Sequence, residues 1–165
     1  MKRIIPIFLL IAAAFGSCQN RKLSATSNET LVPDSTSGKL ETRLMPAAQT
    51  FTRDSVMLSF SIVNHADTVQ RFVKWETPFE PFIGKYLEII NAQGNEVQFT
   101  GPMARRVMPP PADAYIEVPA HDSVRTVFNA AKNYVFEGGQ YTIKYTGGGV
   151  SNLDAGKEIK IAVAP

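Results

Sequence analysis

Val56, Leu58, Phe60 and Ile62 alternate with Met57, Ser59, Ser61 and Val63, so a bulky apolar side chain recurs at every second position. In an extended chain successive side chains point to opposite faces, and this spacing gathers the four bulky groups on one of them. A helix would scatter the same residues around its circumference. The stretch therefore reads as a strand with one face in a core. The same period returns at Leu40, Thr42 and Leu44, at Val124, Thr126 and Phe128, at Tyr141, Ile143 and Tyr145, and at Ile159, Ile161 and Val163. Shorter strands are expected over Thr68–Trp75, Tyr86–Asn91 and Tyr115–Val118. The first of these should pair with the 56–63 strand as a hairpin across the Asn64–Asp67 turn. Outside the first 17 residues no window carries a helical stripe.

Seven to nine short strands divided by Gly, Pro and Asn turns imply an all-β fold, an immunoglobulin-like antiparallel β-sandwich over residues 38–165. A closed barrel satisfies the same periodicity, because alternation does not count sheets. The span suits one folded unit. Gly101–Pro111 contains four of the chain's 11 prolines and reads as an ordered crossing loop. Gly147-Gly148-Gly149 follows a strand and precedes another, so it reads as a flexible connection. A phosphate loop would lead into a helix instead.

The N-terminus carries an address. Lys2 and Arg3 precede an apolar run from Ile4 to Phe15 that is too short to span a bilayer as a mature helix. A charged start and a brief apolar core describe a secretory signal over residues 1–17. Phe15-Gly16-Ser17-Cys18 resembles a bacterial lipobox, with Phe15 where Leu is common. Cys18, the chain's one cysteine, is then the acylated residue, and no intramolecular disulfide can form. A single acyl chain anchors only marginally, so the resemblance implies more than one. Residues 18–37 hold the lipidated Cys18 and a spacer rich in Ser, Thr and Asn, which cannot bury enough surface to order itself. Gln19 is not the aspartate of inner-membrane retention. The expected location is the bacterial cell envelope, at the outer membrane, with the bilayer engaged through Cys18.

Charge excludes one class of partner. The chain has 17 Lys plus Arg against 15 Asp plus Glu, and Lys2 and Arg3 leave with the signal, so 15 face 15 in the mature protein. No basic face for nucleic acid is expected. Catalytic patterns are missing too. His65 and His121 belong to no H-E-x-x-H motif, and with Cys18 committed to the anchor a zinc site lacks ligands. Asp113 or Asp154 alone does not make a calcium loop, and there is no G-x-S-x-G elbow. No catalytic residue, metal or cofactor is assigned, and the chain reads as a non-enzyme.

Two clusters carry more information. Lys74-Trp75-Glu76-Thr77-Pro78-Phe79-Glu80-Pro81-Phe82 combines three large aromatics with two prolines. Trp75 suits core packing, whereas Phe79 and Phe82 on a stiffened exit are either core staples or exposed anchors. Gly101 to Pro111 places Arg105 beside Arg106, which point to opposite faces if the backbone is extended. One then pairs with a carboxylate while the other meets solvent. The Pro109–Pro111 run favours polyproline II, either as a brace or as a recognition edge. The candidate binding residues are Trp75, Phe79, Phe82, Arg105, Arg106 and Tyr115, of which Trp75 and Tyr115 double as core candidates.

Lys74–Thr77 with Pro78-Phe79, Gly101-Pro102 with Arg105-Arg106, Pro109 to Tyr115, Val118-Pro119 and Gly139-Gln140-Tyr141-Thr142 follow a recognisable order. Over residues 52–146 the chain resembles the non-catalytic N-terminal β-sandwich region of bacterial deuterolysin-type (aspzincin) metalloendopeptidase precursors. Phe99 stands where that pattern has Tyr, and Ala120-His121 where it has Gly. The catalytic portion of the family, with its H-E-x-x-H, is absent, so no catalytic residue carries over. What the resemblance implies is a pro-segment-like fold and a partner class, an envelope protein or a metallopeptidase. The leading expectation is a non-catalytic, protein-binding lipoprotein. The alternatives are an inhibitor-like or pro-segment-like module acting on a metalloendopeptidase, and a hydrolase. A deep polar cleft would favour the hydrolase, and a Phe79/Phe82 ridge beside Arg105 or Arg106 would favour binding.

Overall fold

A computed structural model describes residues 40–81 and 83–165. The signal sequence, Cys18, the spacer and Phe82 lie outside the described residues. Eight antiparallel strands run in chain order: β1 (Leu40–Pro46), β2 (Met57–Asn64), β3 (Gln70–Val73), β4 (Leu87–Asn91), β5 (Tyr115–Val118), β6 (Ser123–Asn129), β7 (Gly139–Tyr145) and β8 (Ile159–Val163). The helical content of the described residues is three single 3-10 turns, at Ala112–Ala114, Ala130–Lys132 and Gly149–Ser151. The domain is therefore all-β, as the alternation requires.

The strands form three hydrogen-bonded sheets, ordered β1-β2-β6, β3-β5 and β4-β7-β8. In the first, Leu44, Phe60 and Thr126 stand in one cross-strand row, and Thr42, Ile62 and Val124 in the next. In the third, Ile89, Ile143 and Ile159 share a row. Register of this kind sends every second residue inward, and Val56, Leu58, Phe60, Ile62, Leu87, Ile89 and Ile143 retain no solvent exposure. One apolar cluster joins them to Leu40, Leu44, Phe72, Val118, Phe128, Tyr141, Tyr145, Ile161 and Val163. Aromatic rings knit the sheets across this cluster, with Phe60 and Tyr145 centroids 4.8 Å apart and Tyr86 edge-on to Phe128 at 6.0 Å. Each fully buried side chain of this size contributes roughly 1.5–3 kcal/mol relative to exposure.

The expected hairpin between β2 and the following strand does not form. β3 is shorter than the anticipated 68–75 span and pairs with β5, in the register Gln70 with Val118 and Val73 with Tyr115. Both edges of β2 are already occupied, by β1 and β6. Asn64 turns the chain away. Its side-chain amide is buried and donates to the carbonyls of Thr68 (2.8 Å), Val118 (3.0 Å) and Pro119 (3.0 Å). Its Oδ1 accepts from the Ala66 N–H at 2.9 Å. A buried amide satisfied on both ends costs little, and it fixes the crossing to β5.

Candidate functional site

The turn after β3 is organised by Thr77, which has no exposure. Its hydroxyl donates to the Lys74 carbonyl at 2.6 Å and accepts from the Phe79 N–H at 3.2 Å. The Glu80 N–H then closes on the Thr77 carbonyl at 3.0 Å. The preceding residue, Glu76, adopts a left-handed backbone at φ 57°, an uncommon conformation for a side chain of this type. These constraints aim Phe79 inward. Its ring lies 5.3 Å from Phe72 and 6.2 Å from Phe60, so it staples the turn to the main core. Trp75 is 6% exposed and forms a small separate cluster with Val73 and Ala114, against which Tyr115 and Val150 pack. Among the described aromatic candidates, then, none stands out as a free anchor. Phe79 is a core staple, Trp75 is buried, and the half-buried Tyr115 lies beneath the Arg71 guanidinium at 4.7 Å.

The second cluster meets the first. The guanidinium of Arg106 lies 4.8 Å from the Trp75 ring centroid and pairs with the Glu80 carboxylate. A cation held over an indole is worth about 0.5–1 kcal/mol when exposed and about 2 kcal/mol when desolvated. Arg106 is partly buried here. The Glu80 contact adds a charge-assisted hydrogen bond. The loop's roots are tied as well. Pro102 accepts from the Gly84 N–H at 2.9 Å, and Thr100 donates through its N–H to Asn133 at 2.8 Å. At Gly101 a Cβ would come within 2.7 Å of the Phe99 ring and 2.9 Å of the Asn133 side chain, so any larger residue there would have to push them aside. At the far end the Lys74 ammonium donates to the Asp113 carbonyl at 2.9 Å, and the Lys74 N–H to Ala114 at 2.8 Å.

What this bracing presents is apolar. Met103 is 72% exposed, Val107 81% and Met108 61%, all on a segment stiffened by Pro102 and Pro109–Pro111. Arg105 is exposed and enters none of the ion pairs formed among the described residues. The adjacent arginines thus divide as alternation suggests: Arg106 braces the loop from within and Arg105 faces out. Sequence reasoning missed Met103, Val107 and Met108. Their signal was present, since three bulky apolar residues in a proline-rich segment have no strand period to bury them.

Other polar groups serve structure. His65 and His121 are exposed turn residues, and each contacts one carboxylate, Glu41 and Asp67 respectively, at 2.8 Å. Glu41 also accepts two bonds from Arg43, at 3.0 and 2.9 Å. Those bonds, with a smaller contribution from His65, hold its carboxyl at about 2. Glu41 is therefore ionised throughout the ordinary pH range and is a poor proton carrier near neutrality. It lines an open depression of about 260 Å³ with Thr42, His65, Asp154 and Lys157. No group of three or more His, Cys, Asp or Glu side chains that could hold a metal converges among the described residues. No described helix is long and apolar enough to cross a membrane. The glycine run joins β7 to β8 as expected, but it is packed. Gly149 has φ +59°, and a Cβ there would strike the Glu76 carboxylate.

No family model matches the chain, and no curated protein matches it.

Proposed function

We propose that this chain is a non-catalytic, lipid-anchored envelope protein. Its β-domain, read as an immunoglobulin-like sandwich, binds another protein through the 101–111 loop. One observation carries the binding reading: three large apolar side chains more than half exposed on a loop that is tied at both roots and pinned by Arg106. Exposed apolar groups cost solubility unless something covers them, and a braced loop loses little entropy when it docks. The anchoring reading rests on the lipobox-like run ending at Cys18. Acyl chains there would hold the domain at the outer membrane. The partner is an envelope protein, and a metalloendopeptidase restrained by this pro-segment-like domain is the version that the aspzincin resemblance favours.

The test uses the full chain in its own envelope. Radiolabelled palmitate should enter the wild-type protein and not Cys18→Ala; equal labelling removes the anchor. Affinity capture from envelope extract should enrich a discrete protein with wild type, and the enrichment should fall at least about tenfold with Met103→Ser/Val107→Ser/Met108→Ser. Undiminished capture by that variant, with its denaturation curve unchanged, would move the binding surface elsewhere. Recovery of a metallopeptidase calls for an inhibition assay.

A further inference from the structure

Resting on the protein-binding reading of the 101–111 loop, we infer that the partner presents an apolar cleft with a carboxylate on its rim. Met103, Val107 and Met108 fill the cleft, and Arg105 meets the carboxylate. Shape comes first. Met103, Val107 and Met108 each stand more than half exposed on a segment stiffened by four prolines, so a partner that buries them must supply the concavity. Val107 and the two methionines offer no strong hydrogen-bonding group, which calls for an apolar floor, and methionine side chains adapt to irregular ones.

Charge settles the rim. Arg105 lies two residues from Met103 and Val107, so docking these side chains carries its guanidinium into the interface. Glu80 neutralises Arg106, whereas Arg105 has no carboxylate among the described residues. Burying a guanidinium unpaired costs several kcal/mol, and its planar fork matches a carboxylate bidentately. The carboxylate must therefore come from the partner.

A bilayer is the competing occupant, and one observation disfavours it. The loop carries no Trp or Tyr, the residues enriched at membrane interfaces.

The experiment places the photo-crosslinking residue benzoylphenylalanine at Val107 in the full chain, expressed in its native envelope. The exposed Ala162 of β8 serves as the background position. A protein adduct specific to Val107 is expected, mapping beside an Asp or Glu of the partner. Arg105→Glu should lower its yield about tenfold or more, Arg105→Lys should retain most of it, and converting the partner's acid to Lys should restore it with Arg105→Glu. An adduct lacking a nearby acid, or indifferent to Arg105→Glu, overturns the cleft chemistry while leaving protein binding intact. Adducts on lipid overturn it in favour of the bilayer. No adduct above the Ala162 background overturns this inference and the protein-binding reading together.

Discussion

β2 and the 101–111 loop both carry large apolar side chains, and they meet opposite fates. On β2, Leu58, Phe60 and Ile62 lose all exposure because strands pair on both sides and β4 and β7 supply buried partners to the same core. On the loop, Met103, Val107 and Met108 remain in solvent because no strand pairs with the segment. What holds the loop is a set of polar and cation–π contacts at its roots and at Arg106. A hydrophobic residue is therefore buried by its neighbours' geometry rather than by its own character. The core is over-determined, and the loop depends on a few contacts whose removal should free it without unfolding the domain.

The comparison can be broken at its strong end first. Phe60→Ala should destabilise the domain by about 3–5 kcal/mol, read as a lower urea midpoint. It removes the ring that touches both Phe79 and Tyr145. A loss below 1 kcal/mol would mean that the core collapses around the cavity and is less tightly specified than its register implies.

Alkali tests the same core through Tyr145. Burial pushes its phenol from 10.0 up to about 12; the hydrogen bond with Ser151 partly offsets this, and the nearby Glu76 charge adds slightly to it. Below pH 10 both states keep the proton. Between pH 10 and about 12 the unfolded chain releases it while the folded protein retains it, so stability falls as pH rises through that window. The loss approaches about 2–3 kcal/mol at its upper end. Tyr134, held at about 12 chiefly by burial, adds in the same direction, and burial raises Tyr86 as well. Urea midpoints measured between pH 9 and 12 should fall, with a shallower fall in Tyr145→Phe. Equal slopes in the two proteins would show that the Tyr145 phenol ionises while folded.

At the loop the effects are smaller and local. Arg106→Met keeps the side-chain bulk but removes the charge over Trp75 and beside Glu80, at a cost of about 1 kcal/mol. Hydrogen exchange should rise across residues 101–111 and stay unchanged in β2 and β7. Matching increases in β2 would show that the brace belongs to the core. The smallest effect is expected from Val107→Ser, within about 0.5 kcal/mol of wild type in denaturation, because the side chain is already in water. A marked loss of stability there would reveal packing by a neighbour.

The strands of the large core were legible because period two is a local property. Val56 to Ile62, Tyr141 to Tyr145 and Ile159 to Val163 announce both their secondary structure and their inward faces. Pairing was less legible. The 68–75 segment had the composition of a hairpin partner for β2, but β1 and β6 occupy both edges of β2, and the Asn64 amide, satisfied by Thr68, Val118 and Pro119, ties the chain to β5. The site was half legible. That one of Arg105 and Arg106 would pair and the other face solvent follows from alternation. Which one did depended on Trp75 and Glu80 lying beside it, 31 and 26 positions away in sequence. The aromatics drew attention as anchors because of their size, yet Thr77 folds the turn so that Phe79 points into the core.

By itself, then, the sequence determined that residues from Leu40 onward form short strands with defined inner faces, that the proline-rich segment crosses rather than pairs, and that no disulfide staples the chain. These are consequences of backbone geometry and composition, which act over a few residues. Tertiary structure alone decided which strands pair, that Trp75 and Phe79 turn inward, and that Arg106 rather than Arg105 is held against Trp75 and Glu80. Those outcomes depend on contacts between residues distant in sequence, where burial, charge pairing and steric fit are set by whatever the fold brings alongside.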